Sequence, residues 1–434
     1  MILVECPANY AEEKKYAIKA LFSFMSDEPP EIETKNIQGE YRIMLENGKK
    51  IHLKDSFFSN LDGSIFNALI PEPSDVFFVD NRFVSDSRMP VLFGTEELEV
   101  GDDEIFIGYD IFASTFFMLT RWEEIINRKR DLFARFPGIE SLAYKAGFLD
   151  RPVVNEYAIF LANIIKELGR DCSRSRKEFQ FILTHDVDQV FYYPEIKRFI
   201  FRIIKGKYGL KEIMDTVFDR NPYWTFPFLM EQSEKRGLKS RFYFLSSSFT
   251  IHDNPLDYNH PKIKSLFAEI KAHGHEIGFH GSFEAYENLD MLTREKKRLE
   301  DAAQVSVSRG RQHYLRFSPQ WTWKLWDQLG MKEDQTCGYA DVEGFRCGTG
   351  DSFHAFDLLS RTQLDLIETP LLLMDGTLQD YRDMEHDVAI EKGRDIVAKC
   401  RKYKSSCTIL FHNSSFTGKA WEGWDNVYEA ILDS

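Results

Sequence analysis

The sequence predicts an α/β protein of two regions, in which a smaller N-terminal region precedes a larger one built on a parallel sheet or barrel. Its 434 residues exceed what one ordinary hydrophobic core holds. A polar, aperiodic stretch at residues 170–177 separates two regions with different patterns of apolar residues. Beyond it, apolar strands alternate with helical segments, a pattern typical of parallel sheets. We therefore expect an α/β accessory domain over residues 1–172 and a second domain over residues 178–434.

The N-terminal region begins with an amphipathic pattern. Over residues 10–25 the apolar side chains recur at spacings of three and four, which predicts a helix. Asn47-Gly48 lies between two alternating runs, and this dipeptide favours the tight turn of a hairpin over residues 41–53. We expect further strands at 75–80 and 89–93 and helices at 112–126 and 155–168.

In the second region the pattern changes to short apolar runs separated by helices. Strands are expected at residues 179–183, 241–245, 275–280 and 408–412, and helices at 226–235 and 321–329. Another helix should begin at Pro261, because proline suits the first helical position, and end at Gly274.

Charge and cysteine usage restrict the class of protein. The net charge of −14 argues against nucleic acid or an anionic membrane surface as the main partner. We find no apolar run of about 18 residues and no secretory signal at the N-terminus, so neither a membrane span nor export is expected. The six cysteines are scattered without CxxC pairs. We expect reduced thiols and a cytoplasmic protein.

Three apolar strands run directly into ionisable side chains: Asp186 and Asp188, then His280, then His412. The carboxyl ends of parallel strands share one edge of a sheet, so these segments should converge on one cleft. Asp188 and His280 would suit a divalent ion, a second carboxylate could take a proton from water, and a histidine could protonate a leaving nitrogen. Such a set of groups fits amide hydrolysis. Each segment alone also fits an ordinary loop, helix cap or structural histidine.

Three motifs in order resemble the polysaccharide deacetylase (NodB-homology) superfamily: Thr184-His-Asp-Val-Asp188, Gly274-His-Glu-Ile-Gly-Phe-His280 and Leu410-Phe-His412. The resemblance covers residues 178–434. It implies a distorted (β/α) barrel of about seven strands and deacetylation of an N-acetylated sugar in a polysaccharide or its precursor. It also implies a divalent metal, zinc above all.

Residue roles follow from the same resemblance. Asp186 corresponds to the base, Asp188 and His280 to metal ligands, and His412 to the acid. Arg316, in Tyr314-Leu-Arg-Phe-Ser-Pro319, corresponds to the arginine that contacts the base.

Two further residues are expected behind these groups. His275 would support the ligands, and Asp341, in Gly338-Tyr-Ala-Asp341, would orient the acid histidine.

One position departs from the family pattern. The second metal histidine should lie at position 284, which is Glu284. Glu284 could replace it, since carboxylates also bind zinc and harder metals, and Ser282 or water could fill the same place. A deacetylase-like domain that has lost its metal, and binds glycan or a biosynthetic partner without turnover, is the alternative function. A manganese-dependent nucleotide-sugar site is a third hypothesis, but it leaves His280 and His412 unexplained.

The whole chain also resembles two-domain bacterial deacetylase-like proteins associated with surface-polysaccharide synthesis, which carry a segment like residues 110–124. This segment is interpreted as a helix packed on the neighbouring domain, or as one whose Arg121 and Glu123 reach the cleft and select substrate. The glycine-rich segment around Arg346 is interpreted as a plain turn or as a cradle for an anionic sugar.

Overall fold

Two main sheets organise the protein in a computed structural model that describes residues 2–61, 63–85, 88–172, 178–191, 221–248 and 250–434. The described N-terminal strands form a six-stranded mixed sheet in the order β2-β1-β3-β4-β8-β7, beside a separate β5-β6 hairpin. The bounds are Ile2–Pro7 (β1), Glu31–Lys35 (β2), Glu40–Leu45 (β3), Lys50–Lys54 (β4), Phe77–Val79 (β5), Met89–Val91 (β6), Gly94–Val100 (β7) and Glu104–Tyr109 (β8).

The predicted hairpin is confirmed, since β3 and β4 pair antiparallel around Asn47 and Gly48, and Gly48 has the positive φ of 83° that glycine tolerates. The helices of this region are Ala11–Met25 (α1), Ile111–Thr120 (α2), Glu123–Ile126 (α3), Leu142–Lys145 (α4) and Val153–Glu167 (α5). The single helix expected over 112–126 is wrong, because Arg121 adopts a left-handed conformation that ends α2.

A second sheet, in the larger region, contains nine strands within the described residues, in the order β14-β15-β13-β12-β11-β10-β9-β17-β16. All neighbouring pairs are parallel except β14 and β15. The bounds are Gln180–Val187 (β9), Ser240–Leu245 (β10), Glu276–Gly281 (β11), Arg309–Gln312 (β12), Glu333–Asp334 (β13), Phe353–Asp357 (β14), Thr362–Glu368 (β15), Leu371–Met374 (β16) and Ser406–Leu410 (β17). The number of about seven strands implied by the family resemblance is not confirmed, since this sheet also includes the two-residue strand β13 and the antiparallel edge strand β14.

Helices connect these strands as the alternating pattern predicts. They are Phe226–Glu234 (α6), Pro261–Ala272 (α7), Leu289–Ala303 (α8), Thr322–Gln328 (α9), His386–Lys402 (α10) and Trp424–Leu432 (α11). Helix α7 begins at the predicted proline and buries Ile263, Leu266, Phe267 and Ile270. None of the helices in the described ranges is long and apolar enough to cross a membrane.

One continuous hydrophobic core joins the two regions. The Tyr16 hydroxyl of α1 donates to the carbonyl of His354 at 2.8 Å, and the Tyr16 ring lies 4.8 Å from that of Phe356 in β14. All six cysteines are buried free thiols. The expected boundary between the regions stays a prediction, because its residues 173–177 lie outside the described part of the chain.

A buried ion-pair network also joins the regions. The carboxylate of Glu124, in α3, accepts two hydrogen bonds from the Arg346 guanidinium, at 2.9 and 2.6 Å, and one from Arg121 at 2.9 Å. Arg121 and Glu123 are 1% and 2% exposed, and neither is among the residues that line the cavity described below. The Arg346 guanidinium donates to Glu124 and to the carbonyl of Gly338, which favours the interpretation of its segment as a turn over that as an anion cradle.

We expect Glu124→Gln to destabilise the protein by about 3–5 kcal/mol, because two buried guanidinium groups then lose their shared counter-charge. Urea unfolding of the full chain measures this effect. The control is Asp301→Asn, which breaks the pair between Lys297 and Asp301, whose side chains are 73% and 66% exposed, and should cost less than about 1 kcal/mol. Equal effects of the two substitutions would contradict this account of the interface.

Candidate functional site

The carboxyl edge of the parallel sheet brings together the ionisable groups that follow its strands. Asp186 is the penultimate residue of β9 and pairs with Tyr243 of β10, while His280 in β11 pairs with Leu245 of the same strand. His412 follows β17 by two residues. Asp188 lies just beyond β9 and faces both histidines, with its Oδ1 3.3 Å from His280 Nε2 and its Oδ2 3.9 Å from His412 Nε2.

A group of three possible metal ligands lies at the centre of this edge: Asp188, His280 and His313. One ligand atom from each lies within 4.8 Å of the other two. Asp188 Oδ1 is buried, and no described donor meets it in good hydrogen-bond geometry, although His280 Nε2 and His313 Nδ1 each lie 3.3 Å from it. Such an orphaned oxygen beside two imidazoles fits a divalent cation, and two nitrogens with one carboxylate suit zinc while leaving a position open.

Backbone geometry holds both histidines toward Asp188. His280 Nδ1 lies 2.8 Å from the carbonyl oxygen of Arg311, and donation of its proton there would leave Nε2 free to face the ligand group. A Cβ atom at Gly310 would lie 2.0 Å from the Phe279 carbonyl oxygen, so only glycine permits this approach of β12 to β11. His313 Nδ1 is 3.3 Å from Asp188 Oδ1, and its Nε2 lies 3.8 Å from the buried Asp253.

The turn that carries His313 is strained. Tyr314 and Leu315, directly after it, have φ values of 60° and 55°, in a region that side-chain-bearing residues rarely adopt. Strain of this kind costs on the order of 1–3 kcal/mol per residue and persists only where surrounding contacts enforce it.

Glu284 does not complete the ligand group. Its side chain is 60% exposed, and its carboxylate lies 3.7 Å from Arg316. Beyond the end of β11 at Gly281, the chain keeps Phe283 and Ala285 buried and exposes the Glu284 side chain between them. Ser282, the other candidate for this place, is bound instead to the Glu295 carboxylate at 2.6 Å. A third possible donor is offered instead by His313, in the turn that follows β12.

Arg311, and not Arg316, contacts the proposed base. Arg311 is fully buried and donates to Asp186 Oδ1 at 2.8 Å and to the Thr184 hydroxyl at 3.0 Å. Arg316 lies beyond the turn, packs 3.9 Å from the ring centroids of both Phe283 and Tyr286, and donates to the Phe283 carbonyl. The expected role of Arg316 against the base is therefore corrected, because the side chain that points inward belongs to β12.

His412 is held by Asp375, and not by Asp341. Its Nδ1 lies 2.8 Å from Asp375 Oδ1, and its backbone N–H donates to the other oxygen at 2.6 Å. Burial alone would lower the pKa of His412, but the charges of Asp375 and Asp188 outweigh it and raise that pKa to about 10. Asp341 accepts the backbone N–H of Gly138 at 2.8 Å, so it fixes the N-terminal region instead of the histidine.

The possible ligand Asp188 is ionised in this environment. Burial acts to raise its pKa, but the adjacent His313, His280 and His412 together hold that pKa well below its usual range. A carboxylate that keeps its charge is ready to bind a cation.

His275 lies at the opposite end of β11 from His280. Its Nδ1 accepts the backbone N–H of Ser240 at 2.9 Å, and its Nε2 lies 3.3 Å from the Glu234 carboxylate. The expectation that His275 supports the metal ligands is corrected, because its contacts join β11 to β10 and α6 below the site.

A cavity of about 200 Å³ opens over these groups. Its walls combine the proposed base, ligands and acid with side chains from two further segments. They are Arg135, Asp186, Asp188, His313, Tyr314, Leu315, Met374, Gly376, Asp380, Tyr381 and His412. Arg135 comes from the N-terminal region, so both regions of the chain build the cavity.

Four residues of the site were not identified from the sequence: Arg311, His313, Asp375 and Arg135. Asp375 follows the apolar run Leu371-Leu-Leu-Met374, which is the same signal that identifies His280 and His412. Arg311 and His313 lie in and after the polar strand Arg309–Gln312, which has no apolar run. Arg135 has no local signal.

Comparison with known proteins gives matches for parts of the chain. Residues 2–170 match a family of unknown function (DUF7033). Comparison with curated proteins gives no significant match.

Solved structures similar to this chain include a candidate polysaccharide deacetylase from Mycobacterium smegmatis, with 16% identity, a TM-score of 0.40, and coverage of 60% of this chain and 85% of that one. They also include a CE4-family pseudoenzyme from Bacillus anthracis, with 12% identity, a TM-score of 0.31, and coverage of 60% and 62%. A mutant of a CE4-family pseudoenzyme with restored enzymatic activity shows 13% identity, a TM-score of 0.30, and coverage of 60% and 64%.

We expect His313→Ala to weaken zinc binding by at least about 100-fold, because loss of a group behind a ligand alone costs roughly 10–100-fold. Glu284→Gln should leave zinc affinity unchanged, since Glu284 points to solvent and to Arg316. Competition with a chromophoric chelator measures both affinities. If Glu284→Gln instead weakened zinc binding and His313→Ala left it unchanged, Glu284 and not His313 would be the third ligand.

Proposed function

We propose that this chain is a metal-dependent deacetylase that hydrolyses the amide of an N-acetylated sugar in a polysaccharide or its precursor. One observation carries the proposal. A three-residue ligand group lies between a carboxylate paired with arginine, Asp186, and a histidine paired with aspartate, His412. Amide hydrolysis needs a group that accepts a proton from water and one that gives a proton to the leaving nitrogen.

Asp188, His280 and His313 would hold the metal, and zinc suits their donor set better than magnesium or calcium, which favour oxygen ligands. When bound, such an ion lowers the pKa of coordinated water toward neutrality and polarises a substrate carbonyl.

Asp186 is the proposed base. Arg311 holds its Oδ1, while its Oδ2 faces the ligand group at 3.7 Å from His280 Nε2. One carboxylate oxygen is thereby fixed and the other is directed to where water would lie. The proton taken from water would reside on Asp186, beside a guanidinium that orients it throughout the reaction.

His412 is the proposed acid. With its pKa raised to about 10, it is protonated at neutral pH and can give the Nε2 proton to the leaving amine nitrogen. Asp375 holds Nδ1, so Nε2 faces the cavity beside Asp188. An amide nitrogen leaves poorly as an anion, which is why its protonation is the step that this side chain would serve.

The cavity fits one acetamido group and part of a sugar ring. Its volume is about 200 Å³, below the roughly 300–1,000 Å³ of pockets that enclose a whole drug-sized ligand. The Tyr381 ring, 44% exposed, offers an apolar face and a hydroxyl at the rim, a combination that suits the mixed surface of a sugar. A carbohydrate substrate is consistent with both features.

A role in binding without turnover was motivated by the missing histidine at position 284. His313 offers a third donor from another strand, which removes that motive. The six buried free thiols support a cytoplasmic location as part of this proposal.

We expect His412→Ala to lower the rate of acetate release by about 10²–10⁴-fold, the usual contribution of a positioned acid or base, and Asp186→Asn to lower it at least as much. Acetate released from a panel of N-acetylated oligosaccharides measures this loss. His412→Ala should retain its zinc, because His412 is not one of the three proposed ligands.

The matched control is His273→Ala, a histidine whose side chain is 47% exposed and faces Glu234. It should change neither the rate nor the zinc content. Acetate release that persists in Asp186→Asn would show that Asp186 is not the base.

A further inference from the structure

A loop of the N-terminal region forms one wall of the cavity. It spans residues 127–137, between α3 and the turn Gly138–Glu140, and it carries Arg135. The Arg135 side chain is buried and lines the cavity beside Asp186, Asp188 and His313. A residue from outside the parallel sheet therefore lies among the proposed catalytic groups.

The Arg135 guanidinium joins three segments of the chain. Its Nη1 donates to the carbonyl of Tyr314 at 3.1 Å, and its Nη2 donates to the Tyr381 hydroxyl at 2.8 Å. Nε donates to Asp131, in its own loop, at 2.8 Å. The planar fork of arginine suits such a bridge, because its donors keep a fixed mutual geometry.

The segment that Arg135 holds is the strained turn after His313. Tyr314 has a φ of 60°, and its carbonyl is the acceptor of the Arg135 bond. The Phe133 ring, from the same loop, packs 5.0 Å from the Tyr314 ring. Two contacts from the N-terminal region thus stabilise a backbone conformation that would otherwise be unfavourable.

Arg135 is a poor candidate for binding a substrate anion, because Asp131 neutralises its charge and each of its three nitrogens already donates to the protein. We propose instead that Arg135 is a positioning residue that sets His313 for metal binding, so that the N-terminal region is a working part of the metal site. The inference rests on the proposed function, in which Asp188, His280 and His313 hold the metal.

The test compares metal binding by full-length variants. Arg135→Met should weaken the affinities for Zn²⁺ and Co²⁺ by about 10–100-fold, the effect typical of a group that orients a ligand, and should change the visible spectrum of bound Co²⁺. Arg128→Met is the matched control, since Arg128 is an exposed arginine of the same loop. It should bind both metals like the wild type.

Two milder variants separate positioning from loss of the fold. Arg135→Lys keeps the charge beside Asp131 but not the fork, and Tyr381→Phe removes only one acceptor. Both should retain the melting temperature of the metal-free protein, with metal affinities between those of the wild type and Arg135→Met. This graded loss at constant stability is not expected of a residue that only supports the fold.

Metal binding by the wild type separates failure of the proposed function from failure of the positioning role. A wild-type protein that binds neither Zn²⁺ nor Co²⁺ overturns the proposed function and this inference with it. A wild-type protein that binds metal overturns only the inference if Arg135→Met keeps its affinity within twofold and its Co²⁺ spectrum. If Arg135→Met does not fold, the positioning role of Arg135 is overturned by unchanged metal affinity in both Arg135→Lys and Tyr381→Phe.

Discussion

Charged side chains crowd the carboxyl edge of the nine-stranded sheet, and a buried charge is tolerated only where an opposite charge or a hydrogen-bond donor lies beside it. Arg311 meets this requirement for Asp186, and Asp375 meets it for His412. Asp188 differs from both, because three histidines around it stabilise its charge, while its buried Oδ1 accepts no hydrogen bond within the described ranges. Because Asp186 and His412 already have partners, Asp188 is the side chain of this edge whose oxygen is available to a cation. The other charged groups of the site surround that position.

The two regions of the chain depend on each other through buried polar contacts. Glu124 binds Arg346 across the interface, and Arg135 binds Tyr314 and Tyr381 across the cavity. A buried ion pair such as that of Glu124 with Arg346 contributes less to net stability than apolar packing of the same volume, but breaking it leaves an uncompensated charge. These contacts therefore fix the position of the N-terminal region relative to the sheet, and that position determines the shape of the cavity.

The elements that could be predicted from the sequence are those whose burial leaves an apolar run. Strands β9, β10, β11 and β17 have such runs, and the side chains that follow them, Asp188, His280 and His412, lie together at one edge. Strand β12 has none, because its residues are polar and still buried, and a pattern of hydrophobicity cannot identify it. The sequence motif consequently favoured Arg316, five positions beyond the arginine that touches Asp186.

Position 284 shows a different limit of prediction from the sequence. A ligand four residues after His280 would come from the same segment, whereas His313 follows the neighbouring strand β12, so its place depends on the pairing of β11 with β12. Asp375 could have been predicted in the same way as His280 and His412, since four apolar residues precede it. Arg135 was not, because its place depends on contacts between distant parts of the chain.

The contact between Arg135 and Tyr381 has a consequence for the biosynthesis of the protein. Arg135 and Tyr381 are separated by 246 positions, and ribosomes add residues in order from the N-terminus at roughly 5–20 per second. The wall of the cavity cannot close until most of the chain has been synthesised, and contacts of such long sequence separation also form slowly. Assembly of the site is therefore a late event in biosynthesis, completed by a residue that was translated early.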